Sequence, residues 1–149
     1  MATTSALATL IELSNKASDE AAKRLAAALR AHEDAKQKLD LLLNYRGDYA
    51  ERCHAGLAAG MGAVQFNNYQ AFMQKLDQAI AGQDKVVVDA LRRVDQARAA
   101  WCAAEQKKMS FTTLNERAVK EQNHRDAVRE QKQSDEFANR RSQPKRTPT

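Results

Sequence analysis

The fold of this chain is decided by residues 69–118, which read YQAFMQKLDQAIAGQDKVVVDALRRVDQARAAWCAAEQKKMSFTTLNERA. Apolar side chains recur there at steps that alternate between four and three residues, and Gln83, Lys108 and Asn115 interrupt them. A period of 3.5 residues sustained over so many turns is typical of a coiled coil, because it places each apolar side chain against a neighbouring helix. The predicted interface positions of this helix include Met73, Ile80, Val87, Val94, Trp101 and Phe111.

A weaker stripe of the same kind occurs earlier in the chain. Leu25, Leu39 and Leu43 share one face of a predicted helix, which His32 and Lys36 interrupt. Two amphipathic helices joined by a short connection bury their stripes by folding back on each other. The sequence therefore predicts an all-α fold in which two long helices form an antiparallel coiled-coil hairpin.

Composition divides the chain into four predicted segments. Residues 1–53 form the first coiled-coil helix, and residues 54–66, which hold three of the five glycines, form a flexible connection. Residues 67–141 form the second helix, whose last part from residue 124 overhangs the first helix. Residues 142–149 contain both prolines and are predicted to be a disordered basic tail.

The overall composition favours helices and excludes several classes of protein. Alanine is abundant, and glycine and proline number only five and two among 149 residues, so a β-sandwich is not expected. The longest nearly apolar run, residues 55–64, is about half as long as a membrane-spanning helix requires. No secretion signal is expected at the N-terminus, and Cys53 and Cys102 are expected to be free thiols.

The residues that would support catalysis are missing. No phosphate-binding GxxxxGK[ST] loop is present, and no histidine is followed by a second possible ligand three or four residues later. The basic cluster near the C-terminus lacks the aromatic side chains that stack on nucleic acid bases, and the net charge of +5 is modest. We therefore expect a protein without enzymatic activity, cofactor or metal, which does not bind nucleic acid.

Each helix also carries a second apolar line. If the connection centres near residue 62, partners across the hairpin have numbers that add to about 124, and the two lines meet on one face. Exposed aromatic side chains are enriched at binding hot spots. The alternative interpretation is that this line is itself the interface between the helices. The candidate docking patch consists of Leu42, Tyr45, Tyr49, Phe72, Leu76 and Ala79.

The residues of this patch resemble those of the FliJ family of flagellar export proteins. The likeness is carried by LLNYRGDY at 42–49, NYQAFMQKLDQAI at 68–80, Trp101 and DEFA at 135–138, in order and spacing along nearly the whole chain. The resemblance implies a cytoplasmic coiled-coil hairpin at the flagellar base, associated with the inner membrane through its partners. The partners it implies are the hexameric export ATPase, the cytoplasmic domain of the FlhA export gate and flagellar export chaperones.

The resemblance also implies roles for particular residues. The docking patch would bind the export gate, although Lys38 and Gln83 at its edges differ from the family pattern. The free helix ends would bind and stimulate the ATPase through Leu7, Leu10, Phe137 and Arg140. Two alternatives are the equivalent stalk protein of a virulence secretion system and a generic structural coiled-coil dimer.

Overall fold

Two long α-helices make up the described part of the chain. The computed structural model describes residues 2–142, with side chains from residue 5 onward. Helix α1 spans Ala2–Ala58 and helix α2 spans Ala63–Ser142, and no strand occurs in residues 2–142. The two helices pack against each other, which confirms the predicted all-α hairpin. The predicted tail, residues 142–149, lies outside the described residues apart from Ser142.

The described residues fall into two compact units. One unit is Ala17–Glu105, which contains the connection between the helices. The other consists of the ends of the chain, up to Lys16 and from Gln106 onward. Each helix therefore contributes to both units.

The connection between the helices is shorter than the predicted range 54–66. It comprises Ala59–Gly62, and Gly60 has a φ of 93°. This left-handed conformation ends α1 in the way that glycine commonly ends helices, and the Gly60 amide donates to the Leu57 carbonyl at 3.2 Å. At the start of α2, the Phe66 amide donates to the Gly62 carbonyl.

The glycine at position 56, which suggested a flexible segment, lies inside α1. A Cβ atom at Gly56 would come within 2.6 Å of Met61 Cε. The absence of a side chain at this position gives Met61 room to pack back against the helix. Its neighbours Ala55 and Leu57 favour helix, so α1 continues to Ala58 rather than ending at residue 53.

The interface between the helices in Ala17–Glu105 is made largely of small residues. Within this unit the most buried apolar side chain is Val94, at 3% exposure, and no large side chain is completely buried. Small side chains let two helices approach closely, but a two-helix interface leaves most leucines and aromatic residues partly exposed. The buried apolar residues of this unit are Ala21, Ala35, Cys53, Leu76, Ala90 and Val94.

Polar pairs across this interface define its register. Ser18 donates a hydrogen bond to the Glu105 carboxylate, and Arg46 pairs with Asp77 at 2.6 Å. Both pairs have residue numbers that add to 123, close to the predicted sum of about 124. Gln83, one of the polar interruptions, donates to the Ala35 carbonyl at 3.0 Å, so its half-buried amide is satisfied.

The predicted interface position at Leu43 is wrong. Leu43 is 46% exposed, whereas Leu42 beside it is half-buried. The predicted interface of α1 relies on the spacing of its leucines. In the structure, alanine and other small residues, such as Ala35, occupy much of that interface. Leu25 and Leu39 are half-buried. In α2, Val94 is buried, and the other proposed interface residues of this unit, Met73, Ile80, Val87 and Trp101, are half-buried.

The unit formed by the chain ends has a shorter buried face. In α1, Leu7 and Ile11 are half-buried and Ser14 is buried. In α2, Phe111 and Asn115 are half-buried. From residue 116 to residue 142, every position of α2 is exposed. The final part of α2 is therefore a helix whose side chains lack a partner helix within this unit.

Candidate functional site

Four aromatic rings from both helices meet near the connection. Tyr49 of α1 lies at the centre, with its ring centroid 4.5 Å from Phe72 and 5.2 Å from Tyr69, both on α2. Tyr45 adds contacts at 6.3 Å to Tyr49 and 6.4 Å to Phe72. These separations fall in or near the range in which aromatic pairs stabilise each other. The cluster holds Tyr45 and Tyr49 in place one helical turn apart.

The structure brings Tyr45, Tyr49 and Phe72 of the candidate docking patch together, and it buries the six patch residues to different degrees. Leu76 is buried, and Leu42, Tyr49 and Phe72 are half-buried. Tyr45, at 51% exposure, and Ala79 are exposed. The line on α1 is thus partly the interface between the helices, as the alternative interpretation held. The solvent-exposed part of the patch is an aromatic ridge formed by Tyr45 and by the exposed parts of Tyr49 and Phe72.

An ion pair beside the aromatic cluster links the helices in the register that builds the patch. The Arg46 Nε atom lies 2.6 Å from Asp77 Oδ1. The hydrogen bond from Arg46 to this carboxylate, and the negative charge of Asp77, raise the pKa of Arg46 above its usual value. Because both side chains are about half exposed, solvent screens most of the energy of this pair. Its main effect is to favour one alignment of α1 against α2.

A second polar contact joins Tyr69 of the aromatic cluster to Cys53. Burial, followed by a hydrogen bond with Cys53, raises the pKa of Tyr69 above that of an ordinary tyrosine. Cys53 is buried and free, whereas Cys102 is exposed. The hydroxyl of Tyr69 therefore stays protonated to a higher pH than that of an ordinary tyrosine, and it can keep its hydrogen bond with Cys53.

Two grooves border the aromatic ridge. The groove nearer the connection has a volume of about 460 Å³, and its lining includes Tyr49, Arg52 and Phe72. The other groove has a volume of about 340 Å³, and its lining includes Lys38 and Tyr45. The face therefore combines exposed aromatic edges with recesses of a size that admits side chains of a partner protein.

The proposed ATPase-binding residues lie in the unit formed by the chain ends. Leu7 is half-buried, and Leu10 is exposed. Phe137, at 62% exposure, and Arg140 are exposed on the last turns of α2. The Arg141 guanidinium lies 5.2 Å from the centre of the Phe137 ring, a cation–π distance. Phe137 thus presents an aromatic surface next to positive charge.

No cluster of side chains suited to a metal ion occurs within residues 2–142. Over the same residues, neither helix has a stretch of the length and hydrophobicity needed to cross a bilayer.

Sequence reasoning missed the Arg46–Asp77 pair and the role of Arg52 in the groove. The pair could have been found from the register, because Arg46 and Asp77 satisfy the expected sum to within one residue. Arg52 carries no such signal, because nothing in the pattern of the sequence indicates how the side chain of Met61 folds back beside it.

Comparisons with known proteins agree with the resemblance carried by these residues. A profile of the family described as "Flagellar FliJ protein" matches residues 3–147 of this chain. A flagellar FliJ protein of Escherichia coli (strain K12) is 33% identical over 144 residues, which cover 94% of this chain and 95% of that protein. One of Salmonella typhi is 30% identical over 140 residues, covering 94% of this chain and 95% of its own length.

Proposed function

The chain belongs to the FliJ family of flagellar proteins, and on that premise we propose that it acts in the flagellar type III protein export apparatus. In this proposal it is a coiled-coil stalk and adaptor that binds and stimulates the export ATPase hexamer and links it to the export gate. The observation that carries the proposal is the aromatic ridge of Tyr45, Tyr49 and Phe72, which both helices build and leave partly open.

The docking patch is the proposed contact with the cytoplasmic domain of the FlhA gate. Aromatic side chains fixed by their neighbours lose little conformational entropy on binding, which is why they dominate binding hot spots. Replacing Tyr45 and Tyr49 together by alanine is expected to weaken gate binding about tenfold or more while the helix content is retained. Titration calorimetry and circular dichroism measure the two quantities.

A matched control for this test is Leu29→Ala. Leu29 lies on the same helix and is also exposed, but it lines neither groove. Its replacement is expected to change gate affinity by less than about threefold. Unchanged gate binding by the double tyrosine variant, with its helices intact, would refute the docking patch.

The exposed end of α2 is the proposed contact with the ATPase hexamer. Residues 116–142 are helical and exposed throughout, and Phe137 offers an aromatic anchor beside Arg140 and Arg141. Stimulation requires only that this end bind the active arrangement of the hexamer more tightly than the inactive one. Adding the full chain to the export ATPase should then raise ATP hydrolysis in a saturable manner.

Deletion of residues 124–149 is expected to abolish this stimulation. The matched control is the single change Met109→Ala, which alters an exposed apolar side chain of the same helix outside the deleted segment. A rate of hydrolysis that does not respond to the full chain, with both proteins folded, would refute the stimulating role.

The remaining parts of the proposal concern activity and location. The chain itself is proposed to catalyse no reaction, so the isolated protein is expected to hydrolyse no ATP. Binding of flagellar export chaperones would add a chaperone-like role in delivering cargo. The proposed location is the cytoplasmic side of the flagellar base, where the chain associates with the inner membrane through its partners.

A second candidate, the stalk protein of a virulence secretion system, is less well supported, because both relatives described above are named as flagellar proteins. A structural homodimer would require the aromatic ridge to be covered by a second copy. Sedimentation of the free chain as a monomer would oppose it.

A further inference from the structure

The two grooves beside the aromatic ridge have the same distribution of charge. Among the residues that line the groove of about 460 Å³, the only charged one is Arg52. Among those that line the groove of about 340 Å³, the only charged one is Lys38. Neither lining contains a carboxylate, so the face presents a basic side chain in each groove and apolar or aromatic surface between them.

These two cations are available to a partner. Both Lys38 and Arg52 are exposed, and within the described residues neither forms an ion pair or side-chain hydrogen bond. Arg46, which lies between them in sequence, is by contrast neutralised by Asp77 at 2.6 Å. A charged partner would therefore meet positive charge in the grooves rather than at the centre of the cluster.

The spacing of the two cations places them on one side of α1. Positions 38, 45 and 52 are separated by steps of seven, so Lys38, Tyr45 and Arg52 follow one line along a coiled-coil helix. Two positions fourteen residues apart are separated by about 21 Å at a rise of 1.5 Å per residue. Tyr45, which is exposed, lies midway between them in the sequence.

We infer that this face binds an acidic, apolar segment of the export gate, whose carboxylates pair with Arg52 and Lys38 and whose apolar side chains enter the two grooves. The inference rests on the proposed function. It adds the chemistry of the gate segment and the distance between its two acidic positions, about 21 Å. Two charge-assisted contacts at the ends would fix the position of the segment, while the aromatic ridge provides most of the buried surface.

The first test is binding of the full chain to the cytoplasmic domain of the gate at low and high salt. The variant Lys38→Glu with Arg52→Glu is expected to bind about tenfold or more weakly at low salt, with a smaller difference at high salt. The conservative variant Lys38→Arg with Arg52→Lys should retain binding to within about threefold.

The matched control is Lys23→Glu with Arg30→Glu. These residues are exposed on the same helix, lie outside both grooves, and undergo the same change of charge. Equal gate binding by the charge variant and this control would overturn the inference. If the unmodified chain self-associates and the charge variant does not, the face binds a second copy of the chain. That result would also overturn the inference.

A second test separates this inference from the proposed function. Two synthetic peptides with the same apolar centre, one with flanking glutamates and one with flanking lysines, are titrated against the full chain. The acidic peptide is expected to bind at least about tenfold more tightly, and equal affinities would overturn the inference.

The variant Tyr45→Ala with Tyr49→Ala distinguishes failure of the charge inference from failure of the docking patch. If it weakens gate binding and the charge variant does not, the assigned charges are wrong and the docking patch stands. If the gate does not bind the unmodified chain, the proposed partner is wrong, while selective binding of the acidic peptide would still support the assigned chemistry of the face.

Discussion

Aromatic side chains are exposed in two regions of this chain, and the two regions are built differently. Near the connection, Tyr45 and Tyr49 of α1 contact Phe72 of α2, so the surface exists only while the helices are in register. On the last turns of α2, Phe137 contacts Arg141 of its own helix. The first surface depends on tertiary packing, whereas the second depends only on a local helix.

This difference indicates how each region responds to substitution. Changes in the interface between the helices should damage the surface near the connection first, because they shift or separate its two halves. Changes on the end of α2 should alter binding without altering stability, because residues 116–142 are exposed throughout. Each prediction below tests this division.

The largest expected effect is that of Val94→Asp. A carboxylate in place of the most buried apolar side chain is expected to lower the free energy of unfolding by about 3 kcal/mol or more. The control is Val86→Asp on the same helix, at a position 50% exposed, where a change within about 0.5 kcal/mol is expected. Thermal unfolding followed by circular dichroism measures both, and similar losses would contradict the assigned interface.

A smaller effect is expected when one aromatic residue is removed from each region. Tyr49→Ala removes contacts to three rings and should lower the free energy of unfolding by about 1–3 kcal/mol. Phe137→Ala removes an exposed ring and should change stability by no more than about 0.5 kcal/mol. Urea unfolding compares the two variants. If Phe137→Ala lowers the free energy of unfolding as much as Tyr49→Ala does, the end of α2 must be packed against other residues.

The Arg46–Asp77 pair is expected to contribute little to the free energy of unfolding, because both side chains are about half exposed and solvent screens their attraction. A double-mutant cycle with Arg46→Ala and Asp77→Ala isolates the coupling energy. We expect a small favourable coupling that declines as salt is added. A coupling energy of zero at low salt would show that the pair does not help to set the register.

The smallest predicted effect is on the pH dependence of stability. Because the folded-state pKa of Tyr69 is raised, the folded chain holds its proton to higher pH than the unfolded chain does. Stability is therefore fully present below the unfolded pKa of about 10 and declines as pH rises through the folded value. Unfolding at several alkaline pH values should show a smaller decline for Tyr69→Phe, and an identical decline would contradict this contribution.

The fold was largely predictable from the sequence, but the surface of the candidate site was not. The 3.5-residue period of α2 depends on Val87, Val94 and Trp101. These side chains are large and apolar, so the interface face of the helix can be recognised from the sequence. On α1 the interface includes Ala35 and Cys53, and small residues give a weak hydrophobic signal, so the sequence pattern wrongly favours Leu43 as an interface residue. The grooves depend on how side chains such as Met61 fold against the helices, which no spacing encodes.

The central claim is that the aromatic ridge and the end of α2 serve different partners. Its most direct test measures two quantities, gate binding and ATPase stimulation, for each of two variants: Tyr45→Ala with Tyr49→Ala, and Phe137→Ala with Arg140→Ala. The account predicts that the tyrosine variant loses gate binding and still stimulates the ATPase, while the other variant shows the reverse. Loss of both activities in either variant, with the helices intact, would contradict it.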